Sequence, residues 1–205
     1  MQQVLVPRER FERWVANFGE RHGGVGLAVE AGGLYGMGSD GSTFHARLPF
    51  EVQYDGRADT ADFAREVRPA ADWGVLLVRK GGFAVARLAA ERLVESKVGQ
   101  RHVQGRTKAG GQSQQRFARR RDNQARQAYE AAADHAARIL GERTPLLVTG
   151  GDHAAVQEVL ADRRLLRVDV VPPWLPVPDP RRAVLEQAIR DAASASVEVL
   201  NADDQ

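Results

Sequence analysis

The stretch from Trp73 to Leu88 constrains the fold most. An apolar run across Gly74–Arg79 reads as a strand, Lys80-Gly81-Gly82 as a turn and Phe83–Leu88 as a second strand, together a hairpin. A third strand is expected over Arg92–Val98. Downstream, Leu146–Thr149 is a buried-strand candidate, Asp152 can cap a helix over His153–Ala161, and Leu165–Val171 is another strand candidate. Pro172-Pro173 through Pro178 then reads as a stiff extended connector. Asp179-Pro180 opens a last helix with Val184, Leu185, Ala188 and Ile189 on one face. This alternation predicts an α/β fold, a mixed β-sheet with packed helices.

The residues before Trp73 follow another pattern. Pro7 can open a helix, and Phe11, Trp14, Val15 and Phe18 follow at i, i+3, i+4, i+7. Short strands are expected near Val25–Glu30, Gly33–Met37, Thr43–Leu48 and Phe50–Tyr54, and a short helix over Asp59–Val67. The expected division is a small α+β unit over residues 1–70, of unknown role, a second domain over 71–194, and a short C-terminal tail over 195–205, acidic over Asn201–Gln205.

Composition removes several classes of function. The chain has 205 residues, of which 43% are hydrophobic, and no cysteine, so disulfides, thiol catalysis and cysteine-ligated zinc are excluded. The start lacks a basic segment followed by an apolar one, and no apolar stretch is long enough to span a bilayer. A cytoplasmic protein is expected. The five histidines, His22, His45, His102, His135 and His153, show neither ligand spacing nor a nearby paired carboxylate, so no metal site is expected. Gly36-Met37-Gly38-Ser39-Asp40-Gly41 fits the dinucleotide fingerprint formally, but a strand follows it where a helix is needed, so it reads as a hairpin turn. Asp152-His153 reads as a helix cap, not a triad fragment, since no serine sits in a nucleophile-elbow context.

Charge is concentrated in one place. Between Arg101 and Arg126 lie Arg101, Arg106, Lys108, Arg116, Arg119, Arg120, Arg121 and Arg126, opposed only by Asp122. Gly99–Gln112 has no periodicity and is long for a loop in a compact domain, which points to function or disorder. Ser113 is a plausible N-cap for a helix from Gln114 to Leu140, closed by Gly141. Ala125, Ala128, Ala132, Ala136 and Ile139 give that helix an apolar stripe only in its second half, so its first turns are expected to project from the body. Gly110 and Gly111 permit positive φ and close backbone approach to a ligand. Gln112 has no useful pKa, yet it can hold a water, and its backbone N–H can donate. Such a loop would act by positioning and electrostatic stabilisation.

Gly110-Gly111-Gln112-Ser113, followed by Arg116-Phe117-Ala118-Arg119 and Arg121, resembles the catalytic loop and helix of the eukaryotic and archaeal class 1 release factors. The likeness runs from about Trp73 to Ala193 and implies the fold of that family's central catalytic domain. It also implies hydrolysis of the ester joining nascent peptide to tRNA in the peptidyl-transferase centre. Gly110, Gly111 and Gln112 would be catalytic, while Arg106, Lys108, Arg116, Arg119, Arg120 and Arg121 would meet RNA phosphates. The implied partners are the large ribosomal subunit, ribosomal RNA and peptidyl-tRNA, with no membrane, DNA, metal or organic cofactor, and a monomer is expected. Class 1 factors carry a stop-codon-reading domain before this one and a partner-binding domain after it. Residues 1–70 show none of the codon-recognition motifs. The layout is closer to the release-factor-like domain of ribosome-quality-control hydrolases, the Vms-like group, whose actinobacterial members resemble it. The alternatives are a non-catalytic ribosome-binding rescue factor and a general RNA-binding module.

Overall fold

A computed structural model describes residues 2–100, 112–141 and 144–202, with 112–125 described as helical backbone alone. In chain order the described elements are β1 (Gln2–Val6), α1 (Arg8–Arg21), β2 (Val25–Glu30), β3 (Gly33–Gly38), β4 (Thr43–Arg47), α2 (Thr60–Glu66), β5 (Asp72–Arg79), β6 (Gly82–Ala89), β7 (Arg92–Gln100), α3 (Gln112–Leu140), β8 (Leu146–Gly151), α4 (His153–Leu160), β9 (Asp169–Leu175), α5 (Arg182–Ala192) and β10 (Ala195–Leu200). They form two compact units, one of residues 1–70 with 189–205, the other of residues 71–188.

The first unit is an antiparallel sheet of order β1-β10-β4-β3-β2 with its own aromatic core. Helix α1 buries Phe11, Val15 and Phe18, the stripe its sequence spacing demands. The chain leaves it through Gly23 and Gly24, both at positive φ, where the Gly24 N–H bonds the Gly19 carbonyl at 2.7 Å. Asp59 caps α2 by accepting the Asp62 N–H at 2.9 Å. Rings then interlock. Phe11 meets Phe63 with centroids 4.6 Å apart, and Phe44 packs edge-on against Phe18 at 5.1 Å and Trp14 at 5.2 Å. Gly36 pairs with Phe44 across β3 and β4, and a Cβ there would fall 2.1 Å from the ring, so only glycine fits.

Two expectations for this unit are corrected. Residues 195–205 are not simply a tail. Ala195–Leu200 forms β10, hydrogen-bonded to β1 on one side and β4 on the other, with Ala195 and Val197 in the core. The expected strand over Phe50–Tyr54 does not form. Pro49–Glu51 is instead a single 3₁₀ turn in which Phe50 and Glu51 take φ of 60° and 58°, values no strand accepts.

The second unit is a mixed sheet of order β7-β6-β5-β8-β9. β5, β6 and β7 form an antiparallel meander, while β8 and β9 run parallel to β5. Parallel neighbours need crossovers, and α3 and α4 supply them. The core joins Leu76, Val78 and Val85 of the sheet to Ala132, Ala136 and Ile139 of α3 and Val156 and Val159 of α4. All six interior residues of β5 are buried, as a central strand's continuous apolar run requires. The connector expected from Pro172 is also corrected. Arg163–Leu165 is a 3₁₀ turn, and Pro172 and Pro173 lie inside β9. β9 is an edge strand, and its register with β8 shifts between Val148 and Gly150, which is where a sheet tolerates residues without an N–H.

Candidate functional site

The cross-strand register sets one end of the second sheet. Gly99 pairs with Phe83, Phe83 with Val78, and Val78 with Gly151, so these residues form one row. The segment carrying the Gly-Gly-Gln motif leaves from this row, through Gln100. On β8 the same row leads into α4, where the Asp152 N–H bonds the Val78 carbonyl at 2.8 Å and the Asp152 side chain accepts the Ala155 N–H at 3.2 Å. Asp152 is thus a helix cap, and His153 stacks on Trp174 with centroids 3.5 Å apart.

Helix α3 runs opposite to β5. Its last residue, Leu140, packs over Gly74, where a Cβ would fall 2.5 Å from the leucine side chain. Towards its start, Gln127, Ala128 and Ala131 line a cleft with Gly82, Phe83, Gly99 and Gln100 of the row just described. The 15 residues from Gln112 to Arg126 precede that contact. At 1.5 Å per residue they span about 22 Å, which carries the helix start well away from the cleft.

The second half of α3 is held firmly. Ala132, Ala136, Ile139 and Leu140 are buried, and the Phe83 ring stacks on His135 at 5.5 Å. Arg138 pairs with Glu95 of β7 at 2.6 Å, Asp134 pairs with Arg164 at 2.7 Å, and the Thr144 hydroxyl donates to the Leu140 carbonyl at 2.6 Å. Tyr129 titrates above its ordinary value, first through burial and then through the charge of Asp152.

The sequence-derived site falls across the limit of the described residues. Arg106, Lys108, Gly110 and Gly111 lie outside them. Gln112 is the first residue of α3, so the helix starts before the expected cap at Ser113, and Arg116, Arg119, Arg120 and Arg121 occupy its early turns as backbone. The cleft beneath was not anticipated. Its trace in sequence was Gly99, which pairs with Phe83 and which the strand pattern alone does not explain. The histidine reading also needs one correction. Asp40, far from it in sequence, sits 2.8 Å from the His22 ring. That hydrogen bond, and then the Ser42 N–H, hold the Asp40 carboxyl below the usual range. Gly36–Gly41 belongs to the β3–β4 hairpin. Among the described residues no group of His, Asp or Glu gathers to hold a metal ion, and no helix is long and apolar enough to cross a membrane.

The model of the family described as Actinobacteria/chloroflexi VLRF1 release factor matches residues 71–198. This chain belongs to that family. The match begins where the second unit begins and extends through α5 into β10. Among solved structures, an archaeal translation termination factor, aRF1, is similar over 93% of this chain at 14% identity and a TM-score of 0.43. The chain spans 63% of that factor's length. The Vms1 mitochondrial localization core is similar over 83% of this chain and 77% of its own, at 12% identity and a TM-score of 0.43. No curated protein matches.

Proposed function

We propose that this release-factor family member hydrolyses peptidyl-tRNA on stalled ribosomes or large subunits, with Gly110, Gly111 and Gln112 as its catalytic loop. The observation that carries the reading is the junction at Gln112. The Gly-Gly pair immediately precedes the first residue of a 29-residue helix whose anchored part begins some 22 Å further on. That is the geometry of a probe, a rigid rod fixed at its base with its chemistry at the tip.

The chemistry follows from what a helix start offers. Its first backbone N–H groups have no intrahelical acceptor and carry the positive end of the helix dipole. Beside an ester, they would donate to the oxyanion of the tetrahedral intermediate or to the leaving 3′-oxygen. Water adds across the ester, giving a peptide carboxylate and a free tRNA 3′-hydroxyl. Gln112 orients that water and abstracts no proton, because an amide does not titrate in this range. Gly110 and Gly111 let the backbone approach the acceptor end, where a Cβ would stand in the way. Arg106, Lys108, Arg116, Arg119, Arg120 and Arg121 contact ribosomal RNA phosphates, which position the protein without reading sequence. The reaction needs no metal or organic cofactor, and the protein acts as a monomer in the cytoplasm.

The test is release of a labelled nascent peptide from purified large subunits carrying peptidyl-tRNA. The hydrolase reading expects release that depends on the loop. Cosedimentation with the particles and no release would favour a non-catalytic rescue factor. Equal affinity for naked RNA and intact subunits, with steep salt dependence, would favour a general RNA-binding module.

A further inference from the structure

Helix α3 meets its sheet mainly through alanine. Its buried residues are Ala132, Ala133 and Ala136, then Ile139 and Leu140 at its end, while Tyr129 and His135 are half-buried on its sides. Short side chains bring a helix close to a sheet but raise only shallow ridges, so they fix distance better than direction. Direction matters because of reach. Asp134 lies 22 residues after Gln112, which makes a lever of about 33 Å. At that length a tilt of about 5° moves the tip by about 3 Å. A misplacement of about 1 Å at a reacting centre can cost roughly a hundredfold in rate.

Two ion pairs tie the packed half of α3 to opposite edges of the sheet. Arg138 Nη1 donates to Glu95 Oε1 of β7 at 2.6 Å, and Arg164 Nη2 donates to Asp134 Oδ1 at 2.7 Å. β7 is one edge strand, and Arg164 lies in the turn between α4 and β9, the other edge strand. Arg164 is itself held in place. Its N–H and Nε each donate to Asp162 Oδ1 at 2.9 Å, and its Nη2 donates to Oδ2 at 2.7 Å. Pairs this exposed contribute little to stability. They still select one orientation, because short charge-assisted hydrogen bonds weaken steeply with distance and angle.

We infer that Asp134 with Arg164, and Arg138 with Glu95, are positioning residues, two stays that set the direction in which α3 carries Gln112. They act through the helix and touch no reacting atom. The inference rests on the role proposed above for the tip of α3 but not on ester hydrolysis, since direction is measurable without any reaction.

Distances between paired spin labels on the full chain test it. The chain has no cysteine, so introduced cysteines take the labels alone. One replaces Gln115 in α3, and the other replaces either Gln157 of α4 or Lys97 of β7, both exposed and on opposite sides of the helix. A swing of α3 lengthens one distance as it shortens the other. Narrow distributions are expected with the native pairs, broader ones in Arg138→Gln and Asp134→Gln, and narrow ones again in Arg138→Lys. Glu95→Gln should match Arg138→Gln, and the double variant should be no worse than either, because each removes the same pair. In peptide release from large subunits the glutamine variants should lose about tenfold in maximal rate. Their half-saturating concentration and urea midpoint should stay nearly unchanged. Distributions that stay narrow in the glutamine variants, no recovery in Arg138→Lys, or glutamine variants that release at the native rate would overturn the inference. Broadening as expected in a protein that releases no peptide would sink the hydrolase reading and leave this one standing.

Discussion

Phe83 joins the two ends of the undescribed segment 101–111. Its ring is overlaid by Gly99 of the strand that leads out and stacks on His135 of the helix that leads back. Phe83→Ala should therefore cost about 3–5 kcal/mol in urea unfolding, as large-to-small core changes do. It should also loosen α3 against β7. Gly99→Ala should destabilise by about 1–3 kcal/mol, because the new methyl group has no room beside that ring. Acid sensitivity is also set by particular residues. The Arg164 guanidinium, and then its N–H, hold the Asp162 carboxyl at about 2, below the ordinary 3.8. A carboxyl depressed by folding contributes stability that is complete above about pH 4 and lost as pH falls through about 2. Asp162→Asn should flatten part of the fall in urea midpoint between those limits and change little at neutral pH, where so exposed a pair is screened.

At the scale of elements, local pattern told most where a helix or strand is fixed by its own residues. The spacing of Phe11, Val15 and Phe18 announces α1, and the apolar run with Lys80-Gly81-Gly82 announces the β5–β6 hairpin, since both signals lie within a few residues. Asp152 was also legible as a cap, and Asp152→Ala should cost about 1 kcal/mol of stability by unpairing the first turn of α4. What stayed hidden was non-local. β1 and β10 pair Gln2 with Val199, and nothing near either strand marks the other. Pro172 and Pro173 argued against a strand and were accepted only because β9 lies at a sheet edge, a fact of topology. The proposed catalytic tripeptide, Gly110–Gln112, was singled out for a different reason. Its glycines and amide show no periodicity, and resemblance to a family, not pattern, singled them out.

For the whole molecule, the chain's two termini are committed to the first unit. β10 is hydrogen-bonded on both edges, so removing residues 195–205 should unzip β1 from β4 and abolish cooperative unfolding of that unit. Hydrogen exchange would show the loss as deprotection of β1, β3 and β4. In the second unit, anchorage and reach are separated along one helix. The half after Arg126 is packed and ion-paired, and the half before it extends towards the proposed chemistry. That separation leads to a single decisive measurement, the rate of nascent-peptide release from stalled large subunits by the wild type and by Gly111→Ala. The account predicts release by the wild type and a fall of about a hundredfold or more in the variant, the scale of losing an oxyanion donor, with binding retained. Equal rates for the two proteins would contradict it, because the chemistry would then lie somewhere other than the Gly-Gly-Gln loop.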